Sequence, residues 1–377
     1  MTRLADEYDS MQPEIDSAIQ AVLKSGRYTL ESELIEFERE FASFVGASHA
    51  IGVGSGTDAL RIALLLCNLH PGDEVITAPN TDNPTASAIE QAGGTIVFAD
   101  TNPSTFNLEP ASVLKAISPR TRAVLPVHLF GQPANMTEIC AIASEHDLLV
   151  VEDAALAVGA KHRGQRTGTF GAIGCFSLAP SKILGAFGDA GVLVTDDVAL
   201  AERARVLRNY GHAPGTDLNP QNLTGGGDWV VLEHGINSRL DALQAAVLRV
   251  KLTTLEARIS LRQGAAALYN RLLSGLDVTT PHIDADNEST YFAYNVLVDD
   301  RDLVRTSLAA SGIATRLYYN PPLHLQPAFR HLGYSSGDFP STERSALHGL
   351  ALPLFPQIKE EEVQRVAHAL ESAVAKE

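Results

Sequence analysis

The chain has 377 residues, 45% of them hydrophobic, and a formal net charge of −16. This length suggests two lobes, and we expect a large domain over 1–250 and a small domain over 251–377. The acidic balance excludes a basic nucleic-acid-binding surface, and no apolar run approaches the length of a membrane span. The cysteines Cys67, Cys140 and Cys175 lie in apolar segments without metal-ligand spacing, and the N-terminus has no apolar signal core. We therefore expect a cytoplasmic protein without a metal site.

The first predicted elements are helices that end at glycines. Apolar residues at helical spacing predict helices over 11–24 and 34–44, followed by Gly26 and Gly46. A glycine-rich turn at 54–58 then leads into an apolar helix over 59–67. Such a turn exposes free N–H groups at the positive end of a helix and favours a phosphate, although a plain turn is the commoner interpretation of this pattern. No Walker lysine follows, so a nucleotide-triphosphate loop is not indicated.

The middle of the chain alternates apolar strands with helices. We predict strands over 74–78, 95–99, 122–129, 148–152, 172–177 and 191–195, and helices over 84–92, 109–117 and 135–146. This alternation predicts an α/β fold of three layers, with a mostly parallel sheet covered by helices on both faces. Ligands bind such sheets beyond the carboxyl ends of the strands, which is where Asp153 falls.

The last third of the chain predicts a smaller α+β lobe. A helix over 197–208 is followed by a glycine- and asparagine-rich loop over 211–228, whose length suggests a flap or an interface segment. A long helical region over 239–275 contains the lobe boundary. After it we predict strands over 291–298 and 314–319 and helices over 302–311, 341–349 and 359–375.

One stretch, 174–189, places a single lysine, Lys182, among small and apolar residues. A solvated loop lysine is the ordinary interpretation, but a partly desolvated lysine has a lowered pKa and can act as an amine nucleophile. Asp153 at a strand end and Ser177 accompany it. A lysine that forms a Schiff base, an acid for the pyridinium nitrogen and a hydroxyl for phosphate are what pyridoxal 5′-phosphate (PLP) needs.

Eight segments together resemble one protein family across nearly the whole chain. They are FEREFA (37–42), SGTDAL (55–60), PGDEVI (71–76), HLFGQP (128–133), EDAA (152–155), SLAPSK (177–182), GINSRLDALQAA (235–246) and PLHLQ (322–326). In order and spacing they are similar to the DegT/DnrJ/EryC1/StrS family of PLP-dependent sugar aminotransferases, which has the aspartate-aminotransferase fold (fold type I).

The resemblance implies a role for each matching residue. Lys182 and Asp153 correspond to the Schiff-base lysine, which also moves protons, and to the acid that keeps the pyridine nitrogen protonated. The implied cofactor-binding positions also include Gly56, Thr57, Ser177 and Asn237, the last reaching the phosphate of the neighbouring subunit. The implied substrate-side positions are Arg239, Tyr319 and His324. For Tyr319 and His324, purely structural roles remain open.

Two positions depart from the family pattern. The family usually has an aromatic residue that stacks on the cofactor ring, where this chain has Asp82 or Asn83. It also tends to have Gln or His three residues after the acid, where this chain has Leu156. Losing the stacking contact would weaken cofactor binding unless another contact compensates, whereas an acid at position 82 could contact the substrate. We therefore count Asp82 among the candidate substrate-binding residues.

The function implied by the resemblance is transfer of an amino group from an amino acid, most often glutamate in this family, to a nucleotide-linked keto-sugar. The resemblance also implies a homodimer with shared active sites. A cyclitol aminotransferase that acts on a keto-inositol is the alternative within the family. A cofactor-poor accessory subunit is the alternative outside catalysis. The family branch that dehydrates sugars replaces the lysine with histidine, so Lys182 argues against it.

Overall fold

The computed structural model describes residues 3–213 and 230–375. Within these residues the helices are α1 (Leu4–Asp9), α2 (Gln12–Ser25), α3 (Ser32–Val45), α4 (Gly56–Leu66), α5 (Asn83–Gln91), α6 (Pro110–Ala116), α7 (Met136–Glu145), α8 (Val198–Leu207), α9 (Ala242–Leu252), α10 (Leu255–Leu272), α11 (Arg301–Ala310), α12 (Pro340–His348) and α13 (Glu360–Val374). The strands are β1 (His49–Val53), β2 (Glu74–Thr77), β3 (Thr95–Phe98), β4 (Thr121–Leu125), β5 (Leu149–Asp153), β6 (Lys161–His162), β7 (Gln165–Arg166), β8 (Ile173–Ser177), β9 (Gly191–Thr195), β10 (Asn287–Glu288), β11 (Tyr294–Leu297) and β12 (Gly349–Leu352).

The large sheet has seven strands in the order β1-β9-β8-β5-β4-β2-β3. Neighbours from β3 to β8 run parallel, and β9 runs antiparallel to both β1 and β8. The predicted α/β fold with a mostly parallel sheet is thereby confirmed. Because the parallel strands end at one edge of the sheet, the side chains that follow them meet there.

Both faces of this sheet are buried, as continuous apolar strands require. Val75 and Val151 belong to one core together with apolar residues of α4, α5 and α8. Ile76 and Val150, their neighbours in sequence, belong to a different core with residues of α6 and α7. Successive side chains along a strand therefore point into opposite helical layers.

The C-terminal part has a core of its own. Residues of α11 and α13 pack with the antiparallel pair β11 and β12, and Tyr269 stacks on Tyr294 with ring centres 4.8 Å apart. Helix α10 contributes to both cores, because Leu255 and Ile259 pack with the large-sheet residues. The division into 1–250 and 251–377 stays a prediction.

Two predicted elements differ from the structure. The helical region over 239–275 is two helices, α9 and α10, separated at residues 253–254. The strand predicted over 314–319 is wrong, since this segment forms only a single bridge between Arg316 and Ala351. Most of the loop predicted over 211–228 lies outside the described residues. No helix in the described residues has the length and apolar character needed to cross a membrane.

Close packing of β8 against a neighbouring turn generates a stability prediction. A Cβ on Gly174 would lie 2.2 Å from the Gly168 carbonyl oxygen, whereas a Cβ on Gly264 in α10 would meet nothing within 4 Å. We expect Gly174→Ala to lower the free energy of unfolding by about 1–3 kcal/mol, because backbone atoms must move apart. The matched Gly264→Ala variant should be neutral or stabilising by about 0.5–1 kcal/mol. Urea denaturation measures both, and equal midpoints for the two variants would contradict the packing argument.

Candidate active site

A cavity of about 170 Å³ lies where β5 and β8 end, and it brings together most of the predicted site residues. The predicted residues that line it are Gly56, Thr57, Asp82, Asp153, Ser177, Lys182 and Tyr319. They come from segments separated by up to 263 positions, from 56 to 319. Apolar residues such as Leu60 and Val127 line part of the remaining wall, so the polar side chains act in a partly desolvated space.

Asp153 is the last residue of β5 and is buried. Its Oδ2 accepts a hydrogen bond of 2.7 Å from Thr85 Oγ1, and its Oδ1 accepts one of 3.1 Å from the Ala155 N–H. Burial raises the pKa of the Asp153 carboxyl, while these hydrogen bonds and the nearby Lys182 act in the opposite direction. The arrangement provides a buried acid that is best stabilised by a cationic partner in the cavity.

Glu152, the residue before it, points to the opposite side of the strand and has a different role. Its carboxylate is fully buried and accepts hydrogen bonds from the N–H groups of Gly168, Phe170 and Gly171 at 2.7 to 2.8 Å. It also accepts one of 2.9 Å from His128 Nε2. The Ala134 N–H donates to His128 Nδ1, so Nε2 carries the ring proton. Glu152 therefore fixes the backbone around the end of β5.

Lys182 lies in the turn that follows β8. Its Nζ is 5.2 Å from the centre of the Phe292 ring, and its side chain forms no hydrogen bond to any residue of 3–213 or 230–375. Burial lowers the pKa of the Lys182 amine, and the charges of Asp153 and Asp82 partly offset that effect. A lowered pKa increases the share of neutral amine, which is the nucleophilic form.

The turn that carries Lys182 is held in place by a buried lysine of α9. Lys251 is buried in α9 and donates a hydrogen bond of 2.5 Å to the Gly185 carbonyl oxygen. Lys251 also pairs with the carboxylate of Glu7 at 2.6 Å, which connects the turn to α1. The predicted nucleophile is thus held on a segment whose backbone is fixed by a buried cation.

The N-terminus of α4 also borders the cavity. Ser55 caps this helix by accepting a hydrogen bond from the Asp58 N–H, and Gly56 and Thr57 form its first turn. A Cβ on Gly56 would lie 2.5 Å from the Ser177 Cβ, so only glycine allows the two segments this close approach. Free N–H groups, a helix dipole and two hydroxyls converge here, as an anionic phosphate requires.

A second layer of contacts supports this glycine turn. Ser238 Oγ accepts from the Gly54 N–H at 2.9 Å and donates to Asp58 Oδ2 at 2.7 Å. The Ser238 N–H in turn donates to the carbonyl oxygen of Arg208, whose guanidinium forms a buried ion pair with Glu38. The segment around residue 238 and the glycine turn are therefore parts of one hydrogen-bonded unit.

The two departures from the family pattern both lie in the cavity wall. Asp82 precedes α5, and its Oδ1 accepts from the Asn83 N–H at 2.8 Å. Leu156 is buried and apolar, so it offers no hydrogen bond. Tyr319 also lines the cavity, and burial, followed by the charge of Asp82, raises the pKa of its hydroxyl well above the usual value. Tyr319 is therefore a neutral hydroxyl that can donate a hydrogen bond.

Three predicted residues do not line this cavity. Asn237 is exposed and forms a single bridge with Asn209. The Arg239 guanidinium lies 5.3 Å from the centre of the Tyr210 ring. His324 is buried, with its Nε2 3.0 Å from Glu343 Oε1, which fits the structural role left open above. The roles predicted for these three residues stay predictions.

The structure adds residues that the sequence reasoning did not assign. Thr81, Thr85 and Asp189 line the cavity, and Ser238 supports its glycine turn. The sequence does contain a pattern that indicates the threonines. They lie four residues apart between the end of β2 and the first turn of α5, at the same sheet edge as Asp153. The role of Ser238 depends on a contact across 184 positions, which no local pattern reveals.

The donor set fits PLP. The close approach at Gly56 brings Ser177 to the α4 N-terminus, where a phosphate would bind, and Asp153 provides a buried acid for a protonated ring nitrogen. Lys182 provides an amine whose pKa burial lowers. An aromatic residue to stack on the ring is absent at position 82, so this one contact of the expected set differs.

Comparison with known proteins agrees with this geometry. The model of the DegT/DnrJ/EryC1/StrS aminotransferase family matches residues 9–371. A pleiotropic regulatory protein of Geobacillus stearothermophilus is 41% identical over 375 residues, which covers 98% of this chain and 97% of the relative. The dTDP-3-amino-3,4,6-trideoxy-alpha-D-glucose transaminase of Streptomyces venezuelae is 41% identical over 364 residues, covering 96% of this chain and 93% of the relative.

The solved structure of S. venezuelae DesV in complex with a ketimine intermediate is 40% identical to this chain. It superimposes with a TM-score of 0.94 and covers 100% of this chain and 98% of DesV. The match therefore includes both lobes and every segment that lines the cavity. The resemblance found in the sequence is confirmed, and the chain belongs to the DegT/DnrJ/EryC1/StrS aminotransferase family.

Proposed function

We propose that this protein is a PLP-dependent aminotransferase that transfers an amino group from an amino acid to a nucleotide-linked keto-sugar. The observation that carries the proposal is the presence of Lys182 and Asp153 in one cavity that ends at the N-terminus of α4. The amine, the acid and the anion-binding turn are the three contacts that the cofactor needs. Each side chain reaches the cavity from a different, firmly packed element.

We assign each residue a separate role in the reaction. Bound PLP supplies an electron-accepting ring that stabilises negative charge on the reacting carbon. Asp153 would hold the proton on the ring nitrogen, because a buried carboxylate is most stable beside a cation. Gly56, Thr57 and Ser177 would bind the phosphate. Lys182 would attach the cofactor and then, as the free amine, move protons between carbon atoms of the reactants.

The substrate proposal rests on relatives and on the cavity wall. The S. venezuelae relative is named for a dTDP-linked deoxyamino sugar, which supports a nucleotide-linked keto-sugar here. Asp82 and Tyr319 provide one charged acceptor and one neutral hydroxyl for sugar hydroxyl groups. The amino donor proposed is glutamate, as the family resemblance implies. The cysteines are unpaired, which supports the cytoplasmic location that we infer.

Lys182 gives the most direct test of this function. The purified protein should be yellow, and borohydride reduction should remove the colour and attach the cofactor to Lys182, as peptide mass analysis would show. We expect Lys182→Ala to abolish turnover and this labelling, because no other amine lines the cavity among the described residues. Lys115→Ala, an exposed lysine of α6, serves as the matched control. A Lys182→Ala protein with substantial turnover, or a label on another lysine, would disprove the assignment.

We also propose a two-fold homodimer in which Asn237 reaches the phosphate site of the partner. Asn237 is exposed and lies outside its own cavity, yet it adjoins Ser238, which supports the glycine turn. Exposed apolar side chains, among them Tyr210, Val231 and Leu232, occur in the same region. Large apolar side chains left exposed in one region are typical of an interface between subunits.

Mixing of two inactive variants tests the shared site. Lys182→Ala removes the amine, and Asn237→Asp places a negative charge against the phosphate, so each variant alone should be nearly inactive. In a mixed dimer one site collects both lesions and the other collects none. Refolding equal amounts together should therefore restore roughly a quarter of wild-type activity, since half of the dimers are mixed and each has one intact site. If Asn237 acts within its own subunit, mixed dimers will form without any recovery.

A further inference from the structure

The hydrogen-bond environment of Asp153 contains one side chain that the proposed chemistry does not yet use. Within residues 3–213 and 230–375, Thr85 is the one side chain that hydrogen-bonds to Asp153, with its Oγ1 2.7 Å from Asp153 Oδ2. The other oxygen accepts only from the backbone N–H of Ala155. Thr85 itself is 1% exposed, so no solvent competes for its hydroxyl.

The Thr85 hydroxyl is itself hydrogen-bonded to a second hydroxyl, that of Thr81. Thr81 Oγ1 lies 2.9 Å from Thr85 Oγ1, and Thr81 is 3% exposed. A hydroxyl has one hydrogen, and an ionised carboxylate can only accept. When Asp153 is ionised, the Thr85 hydrogen is committed to it, and Thr81 must donate to Thr85. The direction of the chain is therefore fixed from Thr81 through Thr85 to Asp153.

This direction favours one charge state of the acid. Donors that point at a carboxylate stabilise its ionised form, and successive hydroxyls polarise one another in a low-dielectric environment. Burial pushes the pKa of Asp153 upward, and the Thr85 hydrogen bond is the largest opposing contribution. The threonine pair thus counteracts the main physical obstacle to a buried negative charge.

The pair is also well placed to orient the carboxylate. Thr85 is the third residue of α5, after Pro84 in the first turn and the capping residue Asp82. Helix α5 packs against α4, β2 and β3, so its first turn has little freedom. Because Thr85 holds Oδ2 from this fixed position, the carboxylate cannot rotate about its final bond without losing the contact.

We propose that Thr85, supported by Thr81, is a positioning residue that keeps the Asp153 carboxylate ionised and oriented toward the ring nitrogen of bound PLP. This inference rests on the proposed function. In this proposal the two threonines act through the Asp153 carboxylate. Other ionisable groups around Asp153 also influence it and are unchanged by the variants below: His128, Glu152, Cys175, Lys182 and Tyr319.

The test compares variants that remove a threonine hydroxyl while keeping the side-chain volume with one variant that keeps the hydroxyl. Thr85→Val and Thr81→Val remove a hydroxyl at nearly constant size, and Thr85→Ser retains it. Thr195→Val is the matched control, because Thr195 is equally buried and its hydroxyl donates at 2.8 Å to the Ala172 carbonyl oxygen. The Asp153 carboxyl is titrated by ¹³C NMR in the full-length protein without cofactor, with its resonance assigned by its loss in Asp153→Asn. The dissociation constant for PLP is then measured by absorbance.

We expect Thr85→Val to raise the Asp153 titration midpoint and to weaken PLP binding at neutral pH by about tenfold, the loss of one hydrogen bond to a charged group. Thr81→Val should give a smaller shift of the same sign, and Thr85→Ser and Thr195→Val should behave as wild type. An unmoved midpoint in a folded Thr85→Val protein would overturn the proposal. If Thr85→Val does not fold, an unmoved midpoint in Thr81→Val overturns it. The titration needs no cofactor, so its failure is distinct from a failure of Lys182 labelling.

Discussion

Two adjacent buried carboxylates at the end of β5 determine how the rest of the site is arranged. Removing a carboxylate from water is costly unless donors replace the lost hydration. Four N–H groups donate hydrogen bonds to the Glu152 carboxylate in place of water. These bonds also fix the backbone at 168–171 and 128–134. Among the described residues, Asp153 receives only two donors, and it faces the cavity. The strand therefore ends in one acid that is internally satisfied and one that retains capacity for a cationic ligand.

The proposed phosphate site depends on close approach between backbone segments. A Cβ on Gly191 would lie 2.2 Å from the Ser55 carbonyl oxygen, and a Cβ on Gly56 would strike Ser177. These contacts hold the start of α4 against β8 and β9. Ser238 then connects the same turn to the segment that carries Asn237. The proposed cofactor site and the proposed subunit contact consequently share one set of hydrogen bonds.

Much of this arrangement could be predicted from the sequence, and the successes have a common physical cause. Apolar strands that end in polar residues identify the sheet edge, so local pattern makes Lys182, Asp153 and the Gly56 turn candidates. The family resemblance then assigns their roles. A strand is predicted over 314–319, but only Arg316 of this segment forms a bridge, so no ladder develops there. The division between α9 and α10 at two threonines also has no strong signal, because both flanking segments are apolar at helical spacing. The contacts of Ser238 and Thr85 join distant segments, and only the folded chain specifies them.

The central claim is that Asp153, and not its neighbour, governs the charge on the ring nitrogen of the cofactor. The most direct measurement is ¹⁵N NMR of the protein loaded with PLP labelled at the pyridine nitrogen, in wild type and in Asp153→Asn. The account predicts a protonated nitrogen at neutral pH in the wild type and an unprotonated one in the variant, with the cofactor still bound. A nitrogen that remains protonated in Asp153→Asn would contradict it.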